Sequence, residues 1–312
     1  MFHWNLKSDD LPPSLRHCAA AVGNFDGVHL GHAEILRRLK SFGLPTVVFT
    51  FSEHPRQILR PEEAPPLLTA NERKAELIRE QGIDEVIFCP TARMLNWPAE
   101  AFFQRVIVEL LDAQILVEGP NFRFGYGGRG NTDLLAELCA QTGRKLEIVE
   151  ILHEADGVSV SSSRIRDLIS EGKIPEANAL LTAPYRLTGT VIHGEARGRS
   201  MGFPTANLGN IQTILPAYGV YACRAILSDG SACPAAVNIG PNVTFGGTDP
   251  KVEVFLLDFQ GSIYAQTLHL EFIARLRDLV TFQSREELMA QIEKDVEKTR
   301  EMLMNGPNQF II

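Results

Sequence analysis

With 312 residues, 45% of them hydrophobic and 22% charged, the chain has the make-up of a globular protein long enough for two domains with separate cores. Its formal net charge is −8; 19 basic and 25 acidic residues precede a cut after Ala183, and 11 and 13 follow it, so neither part carries the basic field that nucleic acid requires of a main partner. The five cysteines, Cys18, Cys89, Cys139, Cys223 and Cys233, include no CxxC pair, which excludes a disulfide framework and a structural zinc site and leaves free thiols in a reducing compartment.

The N-terminal stretch MFHWNLKSDDLPPSL has no basic region followed by an apolar run, so no signal peptide is expected. The longest apolar run, LPTVVFTF (44–51), is too short to cross a bilayer. A cytoplasmic protein with no membrane partner is expected.

CAAAV (18–22) reads as a short strand ahead of a glycine-rich turn. GHAEILRRLKSF (31–42) places Ile35, Leu36 and Leu39 at helical spacing. PTVVFTF (45–51) is β-branched and apolar, a strand. TANERKAELIREQG (69–82) predicts a helix that opens at a threonine cap and stops at Gly82. DEVIFC (84–89) is a strand, PAEAFFQRVIVELL (98–111) a helix with proline near its start, and AQILVEG (113–119) a strand. NTDLLAELCAQTG (131–143) is a helix and KLEIVEIL (145–152) a strand. This alternation implies an α/β domain: a doubly wound, mostly parallel sheet with helices on both faces. Ligands of such sheets sit beyond the carboxyl ends of the strands, where VGNFDGVHLGH follows the first one.

EGKIPEANALLTAP (171–184) reads as a linker, dividing the chain into domains 1–183 and 184–312. Beyond it, YRLTGTVIHG, GVYACRAILSDG, AAVNIGPN, KVEVFLLDF and TLHLEFIARL are short strand-like runs punctuated by Gly, Pro and Asn, the texture of an antiparallel barrel or sandwich. A final helix opens with a capping box, Ser284 and Glu287, and presents Leu288, Ile292, Val296 and Leu303 on one face.

In GNFDGVHLGH, Gly23 and Gly27 permit a tight turn and Gly31 lets backbone approach a ligand. The helix that follows offers free N–H groups and the positive end of its dipole, a natural phosphate site. His29 and His32 then face one phosphate, where imidazoles can neutralise charge developing in phosphoryl or nucleotidyl transfer. SSSRIR supplies hydroxyls at Ser162 and Ser163, which can cap a helix or bond phosphate oxygens, and guanidinium groups at Arg164 and Arg166 that match polyphosphate geometry. PNFRFGYGG adds the amide of Asn121 and a stacking surface at Phe124.

In GRSMGFPTANL, Thr205 and Asn207 are two apart, so in an extended segment their oxygens point the same way, as a magnesium ion shared with nucleotide phosphates would require. Gly198 and Gly202 let backbone approach those phosphates. In VEVFLLDF, Glu253 shares a strand face with Phe255, Leu257 and Phe259; a carboxylate there is costly without a partner or a task.

GNFDGVHLGH resembles the HxGH-type signature of the nucleotidyltransferase superfamily in the form carried by prokaryotic bifunctional riboflavin kinase/FAD synthetases (FMN adenylyltransferases). TFSEHPRQIL (50–59), RKAELI (73–78), VEGPNFRFGYGGRG (117–130) and VSSSRIRDLISEGKI (160–174) resemble the adenylyltransferase module of that family. GTVIHGEARGRSMGFPTANL (189–208), GVYA (219–222), VNIGPNVTFGG (237–247) and VEVFLLDF (252–259) resemble its kinase module, in order along nearly the whole chain. The resemblance implies a Rossmann-like N-terminal domain and a C-terminal antiparallel riboflavin kinase barrel with a terminal helix. It implies two ATP- and Mg²⁺-dependent steps, riboflavin to FMN in the C-terminal domain and FMN to FAD plus pyrophosphate in the N-terminal one. Gly23, Asn24, Phe25, Asp26, Gly31, Asn121, Ser162, Ser163, Arg164 and Arg166 are then expected at ATP phosphates in the first site, and Gly198, Gly202 and Pro204 in the second. Glu253 is expected to take a proton from the flavin ribityl hydroxyl, and Phe124 and Phe245 to lie near the flavin. Departures from the family pattern occur at LLTAPY, where a glycine and an arginine more often precede the proline, and at IYAQ (263–266).

Two other readings compete. A nucleotidyltransferase for a different phosphate-bearing precursor would have no use for an intact PTAN and Glu253, and a flavin-binding regulator without turnover would not need His29, His32, Thr205, Asn207 and Glu253 together. An RNA-charging enzyme with a similar histidine signature is disfavoured by size and acidic charge.

Overall fold

The computed structural model describes residues 12–155, 157–193, 202–241 and 250–305, together with the backbone of 2–3. The chain forms two compact units, one of Met1–Pro65 with Thr69–Ser162 and one of Pro66–Leu68 with Ser163–Ile312.

In the first unit the strands are β1 (Phe2–His3), β2 (Ala19–Val22), β3 (Thr46–Phe51), β4 (Glu85–Cys89), β5 (Ile115–Glu118) and β6 (Lys145–Ile148). They make one all-parallel sheet in the order β1-β4-β3-β2-β5-β6. The helices are α1 (Leu30–Lys40), α2 (Pro55–Leu59), α3 (Asn71–Glu80), α4 (Ala99–Phe102) and α5 (Thr132–Gln141). All four residues of β2 are buried, as expected of a central parallel strand covered on both faces. The core gathers Phe49, Ile87, Phe102, Phe103, Ile107 and Leu111. Each such side chain contributes about 1.5–3 kcal/mol on full burial.

Three features differ from the sequence expectations. The helix expected over 98–111 changes pitch: α4 runs into a wider π-helical segment, Phe103–Leu110, closed by the bond from Leu111 N–H to the Val106 carbonyl. That segment buries Phe103, Val106, Ile107 and Leu110 together. Thr69 does not cap α3; Ala70 occupies the cap position, and the Thr69 hydroxyl is bonded elsewhere. The last strand stops at Ile148 rather than Leu152.

The segment expected as a linker folds. Between α6 (Ser162–Ser170) and the first barrel strand lies α7 (Ile174–Leu180), with Pro175 tolerated in its first turn and Ile174, Ala177 and Leu180 buried. It docks on the barrel: Asn178 Nδ2 donates to the Phe272 carbonyl at 2.8 Å, and Asn178 Oδ1 accepts from Tyr185 N at 2.8 Å.

Of the two expected alternatives, barrel or sandwich, the structure has the barrel. β7 (Arg186–Ile192), β8 (Ala206–Gly209), β9 (Gly219–Ile226), β10 (Ala232–Pro241), β11 (Pro250–Leu256) and β12 (Thr267–Arg277) close in the antiparallel order β10-β11-β8-β7-β12-β9. Register shifts at Phe272/Ala274 and Arg275/Arg277 bend β12 against β9. The final helix, α8 (Arg285–Asn305), carries Leu288, Ile292, Val296 and Leu303 half-buried, but the centre of that stripe is polar. Asp295 (4% exposed) and Thr299 (0%) are its buried residues. Asp295 receives Arg277 through Nε at 2.9 and 3.1 Å and Nη2 at 2.8 Å, and Gln291 at 2.9 Å.

This ion pair fastens α8 to β12, so Asp295→Ala, which strands Arg277, is expected to destabilise the second unit by about 3 kcal/mol. Scanning calorimetry on the full chain should show a fall of roughly 6–12 °C in its transition, with most of it recovered in the Arg277→Met/Asp295→Leu double variant.

Two candidate active sites

The first site lies where the sheet order reverses, with β3 on one side of β2 and β5 on the other. The turn from Gly23 to His29 is held in a strained shape: Phe25 and Val28 have φ of 47° and 42°, uncommon for any side chain and more so for a β-branched one. Burial and hydrogen bonds over-determine it. Asp26 (3% exposed) accepts at Oδ1 from Thr69 N (3.0 Å) and Thr69 Oγ1 (3.1 Å), and that hydroxyl accepts in turn from Gly27 N (3.1 Å). Thr50 Oγ1 donates to the Asn24 carbonyl (3.3 Å), and Ser162 Oγ to the Asp26 carbonyl (2.8 Å). Phe25 is buried beneath Gly23, where an added Cβ would lie 3.2 Å from its ring.

His29 caps α1: its Nδ1 accepts from His32 N at 3.3 Å. In the neutral ring the proton is therefore on Nε2, which becomes a donor. The His29 and His32 rings stack with centroids 3.6 Å apart at 18°, and Phe25 lies 4.9 Å from His32. Gly31 is required by this stack, since a Cβ there would stand 3.1 Å from the His29 ring. His32 is held neutral, well below the usual imidazole range, first by burial and then by the charges of His29 and Lys74. Its Nδ1 is buried without a hydrogen-bond partner. Both histidines line a cavity of about 300 Å³ with Gly23, Phe25, Gly31, Glu118, Asn121 and Phe122.

Phe124, expected as a stacking surface, is 6% exposed and packs in the core, with its ring stacked on Phe122 at 5.5 Å and 13°. Phe122 is the aromatic ring that reaches the cavity wall. Gly130 lets the loop close, since a Cβ there would fall 2.7 Å from the Phe124 ring. Ser163, Arg164 and Arg166 belong to the second compact unit, where Arg166 Nε donates to the Pro66 carbonyl at 2.7 Å.

Three residues of this site escaped the motif reading. Thr69 ties the turn. Glu118 ends β5 buried in the cavity wall. Lys74 on α3 is 4% exposed, 5.8 Å from the Phe88 ring centre, and its pKa is lowered by burial against the opposing pull of Asp26. A lysine in helical register with Ala75, Leu77 and Ile78, and a glutamate closing the apolar run ILV, were the available signals.

The second site is built by strand register. On adjacent strands β10, β11 and β8, Asn238 faces Glu253 and Glu253 faces Asn207, and directly opposed residues share a sheet face. Lys251 Nζ pairs with Glu253 Oε1 at 2.8 Å, and Asn238 Nδ2 reaches Oε2 at 3.4 Å, which supplies the partners a carboxylate on this face requires. Neither Lys251 nor Asn238 was singled out in the sequence. Phe255 lies on the same face and meets Phe203 edge-on at 5.4 Å; the strand ends at Leu256, before Leu257 and Phe259. Asn207 is 6% exposed, and its Oδ1 is buried with no hydrogen-bond partner. An orphaned amide oxygen is the kind of donor that suits a hard cation completing its shell elsewhere. Among the described residues no cluster of three His, Cys, Asp or Glu forms an alternative metal site. Gly202 and Pro204 are exposed ahead of β8; Gly198 and Phe245 lie outside the described residues.

A histidine pair at a helix N-terminus over a switch-point cavity, and a barrel rung pairing a carboxylate with an orphaned amide oxygen, define a two-centre phosphate-transfer protein. The FAD synthetase family model matches residues 11–164, and the riboflavin kinase model residues 181–303. Bifunctional riboflavin kinase/FMN adenylyltransferases of Haemophilus influenzae and Pseudomonas fluorescens are each 36% identical to the chain, covering 92% and 93% of it and 94% of each relative. The Escherichia coli K12 protein of that name is 32% identical over 91% of this chain and 92% of its own. A solved Streptococcus pneumoniae structure titled a macrolide-efflux protein matches with a TM-score of 0.82 and 31% identity, over 94% of this chain and 96% of that one. The chain belongs to the bifunctional riboflavin kinase/FMN adenylyltransferase family.

Thr69→Val removes the hydroxyl that joins Asp26 to Gly27 and is expected to cost the first unit about 1–3 kcal/mol. Urea unfolding followed by tryptophan fluorescence measures it, because Trp97 lies in that unit and residues 163–312 contain no tryptophan. An unchanged midpoint would mean the turn is held without Thr69.

Proposed function

We propose that residues 1–183 convert FMN and ATP to FAD and pyrophosphate, and that residues 184–312 phosphorylate riboflavin to FMN with ATP. The observation that carries the first assignment is the stacked His29–His32 pair at the first turn of α1, opening on the cavity. On this reading the triphosphate lies at that helix N-terminus, among the residues Gly23 to Gly31 and Asn121, with Ser162, Ser163, Arg164 and Arg166 as further phosphate ligands. The FMN phosphate attacks the α-phosphorus of ATP, the new P–O bond forms as the bond to the β-phosphate oxygen breaks, and pyrophosphate leaves. His29, whose Nδ1 accepts the His32 N–H, donates from Nε2 to oxygens on which charge builds; His32 buttresses it, and no covalent intermediate is required.

The second assignment is supported by the register that aligns Asn207, Glu253 and Asn238. Glu253 accepts the proton of the ribityl hydroxyl as its oxygen attacks the γ-phosphorus and ADP departs. Thr205 and Asn207 would hold Mg²⁺, which supplies charge neutralisation at the nucleotide phosphates. Gly198, Gly202 and Pro204 are assigned to the phosphates and Phe245 to the flavin. Riboflavin, FMN, FAD and ATP are the proposed partners, and nucleic acid is not one. A cytoplasmic setting accords with two ATP-consuming steps and with five cysteines that are all free thiols. Among the described residues no helix is long and apolar enough to cross a membrane.

The test is a chromatographic time course with riboflavin, ATP and Mg²⁺, in which FMN is expected to rise first and FAD to follow. His29→Ala should slow FAD formation by roughly 10²–10³-fold while FMN accumulates. Loss of both steps would count against separate sites. Glu253→Gln should slow riboflavin phosphorylation by roughly 10²–10⁴-fold and leave supplied FMN convertible to FAD; unimpaired phosphorylation would remove Glu253 as the base.

A further inference from the structure

β2 and β5 run together only over Ala19↔Ile115 and Ala20↔Leu116, whereas β2 continues along β3 as far as Val22↔Phe49. The N–H groups of Ala19 and Gly23 donate to Pro45 and Phe49 on the β3 side. Val22, one residue out of step, points its N–H the other way, into the gap that opens as β5 departs. Glu118 Oε1 receives that N–H at 2.7 Å. The side chain of β5's last residue thus stands in for the ladder.

Glu118 is 2% exposed and makes no other hydrogen bond among the described residues. It lines the cavity together with Val22, Ile35, Ile151, Phe122, Asn121 and Glu150. Burial pushes its carboxyl well above the ordinary range, opposed only by the Val22 N–H, so the group is an uncharged acid. With Oε1 accepting, the acid proton sits on the second oxygen, which no protein group among the described residues accepts from, so a ligand in the cavity can supply the acceptor.

We propose that Glu118 is a substrate-recognition residue of the first site: one oxygen splints the parted strands, and the other offers a hydrogen bond to an in-plane acceptor of a flat, uncharged heterocycle lying against Phe122. The inference rests on the adenylyl-transfer reading of that site. Both substrates of that reaction carry such a ring, adenine in ATP and isoalloxazine in FMN, and the experiment distinguishes them.

The experiment measures KM and kcat for FMN and for ATP in FAD formation by the full chain, comparing the wild type with Glu118→Gln, Glu118→Val and Glu118→Met. The glutamine amide keeps both an acceptor for Val22 and a donor for the ligand, so its constants should stay within about threefold of the wild type. Valine and methionine keep the bulk and lose both bonds; KM for one ring-bearing substrate should rise roughly tenfold or more, with kcat changing less. A raised FMN KM assigns the isoalloxazine ring, and a raised ATP KM assigns adenine. Methionine carries the test if the valine variant fails to fold, and unchanged riboflavin phosphorylation reports an intact second unit. The proposal is overturned by unchanged KM values in both apolar variants, by a fall in kcat alone, or by a glutamine variant as impaired as valine. Should the wild type make no FAD from FMN and ATP, the adenylyl-transfer reading fails by itself. Calorimetric titration of each nucleotide into wild type and Glu118→Met then still decides Glu118, with equal affinities overturning it.

Discussion

The parting of β2 and β5 is the constraint on which the first site depends. A parallel sheet that extends in both directions from β2 must send its next crossover to the other side, so the strand ends diverge and leave backbone groups facing a cleft. Those groups have to be satisfied without filling the cleft. The chain does so by three means: the Glu118 carboxyl takes the Val22 N–H, Asp26 and Thr69 tie the turn from below, and His29 caps the helix that leaves it. The strained dihedrals of Phe25 and Val28 persist because burial and hydrogen bonds leave the turn no relaxed alternative.

The two sites handle phosphate charge differently. In the first, the cavity meets the His29 and His32 rings and the end of a helix dipole, while Lys74 is buried on α3. On the proposed reading, rings fixed by stacking and capping need no reorganisation when charge shifts between phosphate oxygens, which suits a step without a protein nucleophile. In the second, the register of three strands sets a carboxylate in place: Lys251 and Asn238 hold both oxygens of Glu253, while the Asn207 amide oxygen stays unpartnered one strand away. A carboxylate whose partners are a half-exposed lysine and a long amide contact is oriented without being locked.

Much of this was legible in the sequence for a physical reason. Runs such as PTVVFTF and DEVIFC are buried on both faces and therefore continuously apolar, and the glycine turn between CAAAV and an amphipathic helix announces the switch-point site. The face that Glu253 shares with Phe255 was legible because a period of two places side chains on one face whatever the strand's neighbours. What stayed hidden depends on partners distant in sequence. Thr69 looked like a helix cap because its competing bond, to Asp26, lies 43 residues away. EGKIPEANALLTAP looked like a linker because its proline and glycine are read locally, whereas α7 is stabilised by β12. The stripe on α8 was visible as apolar, but its buried centre, Asp295, has meaning only once Arg277 is known to sit opposite. Phe124 and Phe122 are indistinguishable by residue type; only the loop closure at Gly130 decides which ring packs inward.

The overall charge sharpens the role of these local arrangements. A chain of net −8 that binds polyanions gains no long-range steering toward them, so attraction must arise within a few ångströms of the phosphates. A helix N-terminus acts over that range, because its field falls off within the first turn. On the proposed reading, the orphaned Asn207 amide oxygen, which would recruit a cation together with its nucleotide, does the same. Short-range recognition of this kind favours ligands that fit the cavity wall as well as carry phosphate, which on the proposed reading places discrimination on wall residues such as Phe122 and Glu118 rather than on charge.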